Sequence, residues 1–197
     1  MQKRFVSEQQ LLEDAYRLAK RVYDSGFRPD FIVGVWRGGA AVGIYLQECL
    51  QYLGVETDHI AVRTSYAGRN HYFRQLENEE AIQAHGLGYL FERLNAHNRL
   101  LIVDDVYSTG RHIQAIVDRL RQVCRRNFPG DLRVAAAYYR PPAAAMASPP
   151  DYFQQQSSDW LVLPYEVRDI DRDDMARHKP WLLPILDDLK PDWQSEK

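Results

Sequence analysis

The chain has 197 residues, a length that suits one compact domain with a substantial core and a small appended subdomain. Hydrophobic residues make up 45% and charged residues 26%, and the formal net charge of -2 lacks the basic excess of a general nucleic-acid binder. Cys49 and Cys124 show no metal spacing and read as reduced thiols, no apolar run is long enough to cross a bilayer, and MQKRFVSEQQ has no signal-peptide core, so a cytoplasmic protein without a membrane partner is expected.

Ser7 caps a predicted helix that runs to about Ser25, with Leu11, Leu12, Ala15, Leu18, Ala19 and Val22 at helical spacing and Gly26 as its stop. FIVGV follows as a short buried strand, Arg37-Gly38-Gly39 as a turn, and AAVGIYLQECLQYLG as a helix closed by Gly54. HIAVRTSY is the second strand, and it leads into a polar stretch over residues 67–78. RLLIVDDV is the clearest strand, STGRHIQAIVDRLRQVCRR an amphipathic helix, and LRVAAAYYR another strand. Arg119, Arg121, Arg125 and Arg126 read as a solvated helix face with favourable charge near its C-terminus. This alternation predicts an α/β fold, a mostly parallel open sheet with helices on both faces. PPAAAMASPP reads as a loop, and DYFQQQSSDWLVLPYEV as a segment with one short strand. The expected division is a core over residues 1–140 and a C-terminal hood over 141–197, packed on the sheet's C-terminal edge within a single compact unit.

Residues 100–112, LLIVDDVYSTGRH, carry the most chemistry. Asp104 and Asp105 come at the C-terminal end of a buried strand, where open α/β sheets bind their ligands. Ser108, Thr109 and Gly110 then turn into a helix whose N-terminus favours an anion. Two carboxylates repel an anion unless they bind sugar hydroxyls or a metal, and a sugar phosphate with a divalent cation resolves that conflict. No P-loop pattern is present. Phosphorylation receivers also contain IVDD, but they place the acidic pair near the start of the domain. A plain turn with a solvated acidic pair is the remaining alternative.

This segment resembles the PRPP-binding motif of type I phosphoribosyltransferases, where PRPP is 5-phosphoribosyl-1-pyrophosphate. The resemblance implies that Asp104 and Asp105 bind the ribose hydroxyls directly or through Mg2+, and that Ser108, Thr109, Gly110, Arg111 and His112 wrap the 5′-phosphate. Tyr107 departs from the small aliphatic usual in the family, and His112 from Ser or Thr. Arg37-Gly38-Gly39 is explained nearly as well by a tight strand-to-helix turn, but it stands where the family carries its pyrophosphate loop, with Trp36 in place of a small residue. Ser65-Tyr66 and the following Gly68, Arg69, Asn70 and His71 resemble the flap of 6-oxopurine enzymes; an ordinary exposed loop accounts for them equally.

The bacterial xanthine-guanine and hypoxanthine enzymes offer the nearest pattern for the tail. By that resemblance Arg140 donates to a purine 6-oxo group, Trp160 stacks on the base, and Leu161 belongs to the segment whose backbone reads the base edge. A surface salt bridge for Arg140 and a core position for Trp160 are the competing readings. Ser108 stands where many 6-oxopurine enzymes have Asp, and a hydroxyl is a poor base at neutral pH. The implied activity is transfer of the phosphoribosyl group from PRPP to a nucleobase, a 6-oxopurine above others, with release of pyrophosphate. The catalytic set is Asp104, Asp105, Ser108 and Arg37, and Asp104 and Asp105 also serve as metal ligands. The alternatives are a non-purine base, or a PRPP-binding regulator with the same fold. The expected partners are PRPP and a base, no nucleic acid, and further copies of the chain in a homodimer or homotetramer.

Overall fold

The computed structural model describes residues 3–66, 82–141, 148–168 and 170–189. Its main sheet has six strands in the order β4-β3-β2-β5-β6-β7. They are β2 (Phe31–Trp36), β3 (Asp58–Tyr66), β4 (Ile82–His85), β5 (Arg99–Tyr107), β6 (Asp131–Tyr139) and β7 (Tyr152–Gln156). All neighbours pair in parallel except β3 and β4.

Strand β5 is central because its apolar run has no polar face. Leu101 and Val103 point into the core under α1 (Glu8–Asp24) and α2 (Gly38–Tyr52). Leu100 and Ile102 point into the opposite core, under α3 (Gly88–Arg93) and α4 (Arg111–Cys124). All four are fully buried, as a strand covered by helices on both faces requires. The predicted doubly covered, mostly parallel sheet is therefore the observed fold.

Helix α1 begins as expected, with the Ser7 hydroxyl accepting from the Gln10 amide at 3.1 Å, and Gly26 and Gly54 take positive φ after α1 and α2. Helix α4 starts later than its sequence suggests. Gly110 holds a left-handed conformation at φ 72°, so residues 108–110 remain loop, and a 3-10 turn over Arg125–Asn127 replaces the last helical residues.

The tail differs from expectation in two ways. It contributes two strands, β7 and β8 (Trp160–Val162), and β7 joins the edge of the main sheet beside β6. Strand β8 instead pairs in parallel with β1 (Lys3–Phe5), a strand absent from the sequence reading. This two-stranded unit, with α5 (Arg172–His178) and α6 (Leu182–Asp187), closes with Phe5 stacked on His178 at 3.9 Å and Lys3 donating to Asp174 at 2.8 Å. Among the described residues both cysteines are free, and no helix is long and apolar enough to cross a membrane.

Two polar clusters fix the elements around the sheet. At its N-terminal edge Asp30 accepts from the Arg99 amide at 2.7 Å and from the Arg99 guanidinium at 2.9 and 3.3 Å, which ties β2 to β5. In the interior Asp14 of α1 accepts from the Tyr138 hydroxyl and from Gln155, both at 2.8 Å, which joins α1 to β6 and β7.

Candidate active site

The candidate residues lie at or just beyond the C-terminal ends of the strands. Arg37 follows β2, Ser65 lies near the end of β3, Asp104 and Asp105 lie near the end of β5, Arg140 follows β6, and Trp160 comes after β7. Strands β2 and β5 are neighbours, so the Arg37 turn and the acidic pair meet at the centre of the sheet. A Cβ at Gly39 would come within 2.9 Å of the Asp104 Cα, and one at Gly38 would collide with the Asp105 carboxylate. Both glycines are buried, so these positions need the missing side chains to let the α2 N-terminus close on β5. The Trp36–Arg37 peptide is cis, and Trp36 itself is 57% exposed. Nothing in the structure explains the choice of tryptophan there.

The two carboxylates have different surroundings. Asp104 accepts from the Asp105 amide at 3.0 Å, and burial together with the Asp105 charge pushes its carboxyl well above the usual carboxylate range. The Asp105 Oδ2 accepts from the Tyr165 hydroxyl. Tyr165 in turn is raised by burial and by the Asp105 charge. Among the described residues no group of three or more His, Cys, Asp or Glu side chains forms a metal cage. The pair still fits Mg2+, which takes one or two carboxylates and completes its shell with water and substrate oxygens. A cation here would also relieve the repulsion that raises Asp104.

Loop 108–110 leads into α4. Ser108 is half-buried and Thr109 exposed, and the Thr109 hydroxyl lies 3.5 Å from the Arg111 amide. Tyr107 now has a structural reason: its ring lies against the left-handed Gly110, where any Cβ would strike it, and it also packs on Tyr139 with ring centroids 6.1 Å apart. His112 Nδ1 is 2.8 Å from the Thr64 hydroxyl on β3, and burial, with the Arg111 charge, lowers the pKa of its imidazole. Ser65 pairs with His85 of β4 at 2.8 Å, so successive residues of β3 bind α4 and the edge strand. Tyr66 ends β3, and Gly68, Arg69, Asn70 and His71 lie outside the described residues.

Arg140 and Trp160 come together. The Arg140 guanidinium carbon sits 4.8 Å from the Trp160 ring centroid, and the Arg140 amide donates to the Tyr107 carbonyl at 2.8 Å. Trp160 is 46% exposed, which excludes the core position. Leu161 points the other way, into the core against α1, so only its backbone is available to a ligand. A cleft of about 100 Å³ is lined by Arg37 and Trp160 together, with Lys3, Glu166 and Arg168. Glu166, raised by burial and by the Asp105 charge, and Tyr165 were absent from the predicted site. Nothing in the sequence around Pro164-Tyr165-Glu166 indicates that Tyr165 reaches back to Asp105.

A family model described as the phosphoribosyl transferase domain matches residues 1–167. The chain belongs to the phosphoribosyltransferase family. Its reaction class is therefore pentosyl transfer from PRPP, and it is an enzyme of the glycosyltransferase type. Solved structures share the fold of this phosphoribosyltransferase at low identity. A purine phosphoribosyltransferase from Pyrococcus horikoshii Ot3 is 21% identical with a TM-score of 0.62, over 87% of this chain and 99% of that one. A hypothetical protein from Neisseria gonorrhoeae with bound ppGpp is 18% identical with a TM-score of 0.67, over 91% and 97%. The Helicobacter pylori xanthine-guanine-hypoxanthine phosphoribosyltransferase is 17% identical with a TM-score of 0.61, over 84% and 94%. No curated protein matches the sequence.

Proposed function

We propose that this phosphoribosyltransferase moves the 5-phosphoribosyl group of PRPP onto a 6-oxopurine, hypoxanthine, guanine or xanthine, and releases pyrophosphate. The observation that carries this reading is the single cleft lined by Arg37 of the glycine turn and by Trp160, itself under the Arg140 guanidinium. A pyrophosphate held by Arg37 and a base stacked on Trp160 would then lie on opposite sides of the same ribose carbon. That arrangement suits an exchange of one for the other.

In this reading Asp104 and Asp105 hold the ribose hydroxyls, and the backbone of loop 108–110 with Arg111 and His112 holds the 5′-phosphate at the α4 N-terminus. Mg2+, when bound, supplies positive charge that stabilises the departing pyrophosphate. Arg37 and the α2 N-terminal amides add to that stabilisation from the protein side. Arg140 presents donors alone, which match a 6-oxo oxygen and not the 6-amino group of adenine. The Ser108 hydroxyl donates or accepts one hydrogen bond near the base. The names of the Pyrococcus and Helicobacter neighbours, both purine enzymes, support this choice of base.

Two measurements test the reading. Replacing Asp104 and Asp105 together by Asn removes the charge and keeps the size, so calorimetry with Mg2+ present should register a sharp loss of PRPP affinity in a folded protein. Unchanged affinity removes these residues from the site. A panel of bases with PRPP and Mg2+ should then give higher kcat/KM for hypoxanthine, guanine or xanthine than for adenine. The reverse order would assign Arg140 another task.

A further inference from the structure

Three parts of the chain, distant in sequence, meet at one hydroxyl. The Tyr165 Oη donates to Asp105 Oδ2 across 60 residues of sequence. The same hydroxyl occupies space that a Cβ at position 38 would fill, so Gly38 makes room for Tyr165 as well as for Asp105. Behind the ring, the turn that carries Tyr165 is fastened by a buried lysine. Lys179 is only 5% exposed, and its ammonium donates to the carbonyls of Leu163 at 3.0 Å, Pro164 at 2.7 Å and Glu166 at 2.5 Å. All three of its donors are thereby used on the one turn. Burying a lysine is costly, and this one, which also feels the charges of Glu166 and Glu8, sits where it fixes the backbone on both sides of Tyr165.

We infer that Tyr165 is a positioning residue for PRPP. By occupying Oδ2 it holds the Asp105 carboxylate in one orientation and leaves Oδ1 to the ligand. Through Gly38 it also sets how closely the pyrophosphate loop approaches β5. Lys179 extends this control into the hood, because the turn cannot shift without breaking three hydrogen bonds. The inference rests on the assignment of Asp105 to the PRPP site. It adds a residue that touches neither base nor phosphate and acts through Asp105.

Tyr165→Phe keeps the ring and its packing and removes only the hydroxyl. Calorimetric titration of the full chain with PRPP and Mg2+ should give a Kd raised about tenfold or more, the scale of one lost hydrogen bond to a charged group. In steady-state kinetics the KM for PRPP should rise while the KM for the base stays near that of the wild type. Gly38→Ala should also weaken PRPP binding, and by a smaller factor in the Tyr165→Phe background than in the wild type, because one of the two collisions at that Cβ is gone. A purely structural role for Tyr165 would lower the folded fraction, and so the apparent kcat and the melting temperature, without moving either KM. That pattern, or full additivity of the two substitutions, would overturn the inference while leaving the assignment of the PRPP site intact. Failure of the wild-type chain itself to bind PRPP would instead overturn the assignment, and the positioning role with it.

Discussion

Trp160 shows how one exposed side chain can discriminate between a packing role and a binding role. It keeps 46% of its surface exposed, and its described ring contact is the Arg140 cation. Removing it therefore opens no hole in the core. Trp160→Ala should leave the melting temperature nearly unchanged and raise the base KM by the equivalent of about 1–3 kcal/mol, the range known for base–aromatic stacking. The KM for PRPP should change far less. A large fall in thermal stability would return Trp160 to a packing role. The neighbouring Leu161 teaches the opposite lesson, since it has the same local sequence context and is core. The sequence placed both in the base segment, but the alternation of strand β8 sends one side chain out and the next in.

Among the elements, those legible in the sequence are the ones whose burial pattern is local. Helices α1 and α4 announce themselves by spacing, and β5 by an unbroken apolar run. Strands β1 and β4 do not: KRF has three residues and IQAH four, too few to carry a pattern, so each exists only because a distant partner supplies its hydrogen bonds. The acidic pair and the glycine turn were readable for the same reason as β5, since they sit at strand ends. The Tyr165–Asp105 contact was not, because no local pattern records a bond between residues 60 positions apart. The Asp30–Arg99 tie between β2 and β5 gives a prediction at this scale. Partial burial pulls the Asp30 pKa up, but the hydrogen bonds and charge of Arg99 outweigh it and hold the carboxyl below its ordinary 3.8. A depressed folded pKa means stability that is complete above 3.8 and lost as the pH falls through the lower folded value. Asp30→Asn should thus flatten the acid limb of a stability-against-pH curve and lower stability at neutral pH. An acid limb identical to the wild type would show that the tie contributes nothing.

For the molecule as a whole, a ligand gripped by the ends of several strands must stabilise them together. PRPP with Mg2+ at about 100 times its Kd should add about 2.7 kcal/mol to the unfolding free energy. For a chain of this size that is a rise of roughly 5–10 °C in Tm by calorimetry, and the Asp104/Asp105 double Asn variant should show little of it. No shift in the wild type would argue against PRPP as the ligand. The pairing of β1 with β8 bears on how the molecule is made. Lys3 pairs with Trp160, so β1 has no partner until the chain has been translated through β8. The parallel sheet from β2 to β6 can assemble behind it during synthesis, domains folding from the N-terminal side as they emerge. The β1–β8 unit, and with it the Tyr165 contact to Asp105, can form only after β8 and the Lys179 segment have been released, so a nascent chain carries the acidic pair before it carries the tyrosine that orients it.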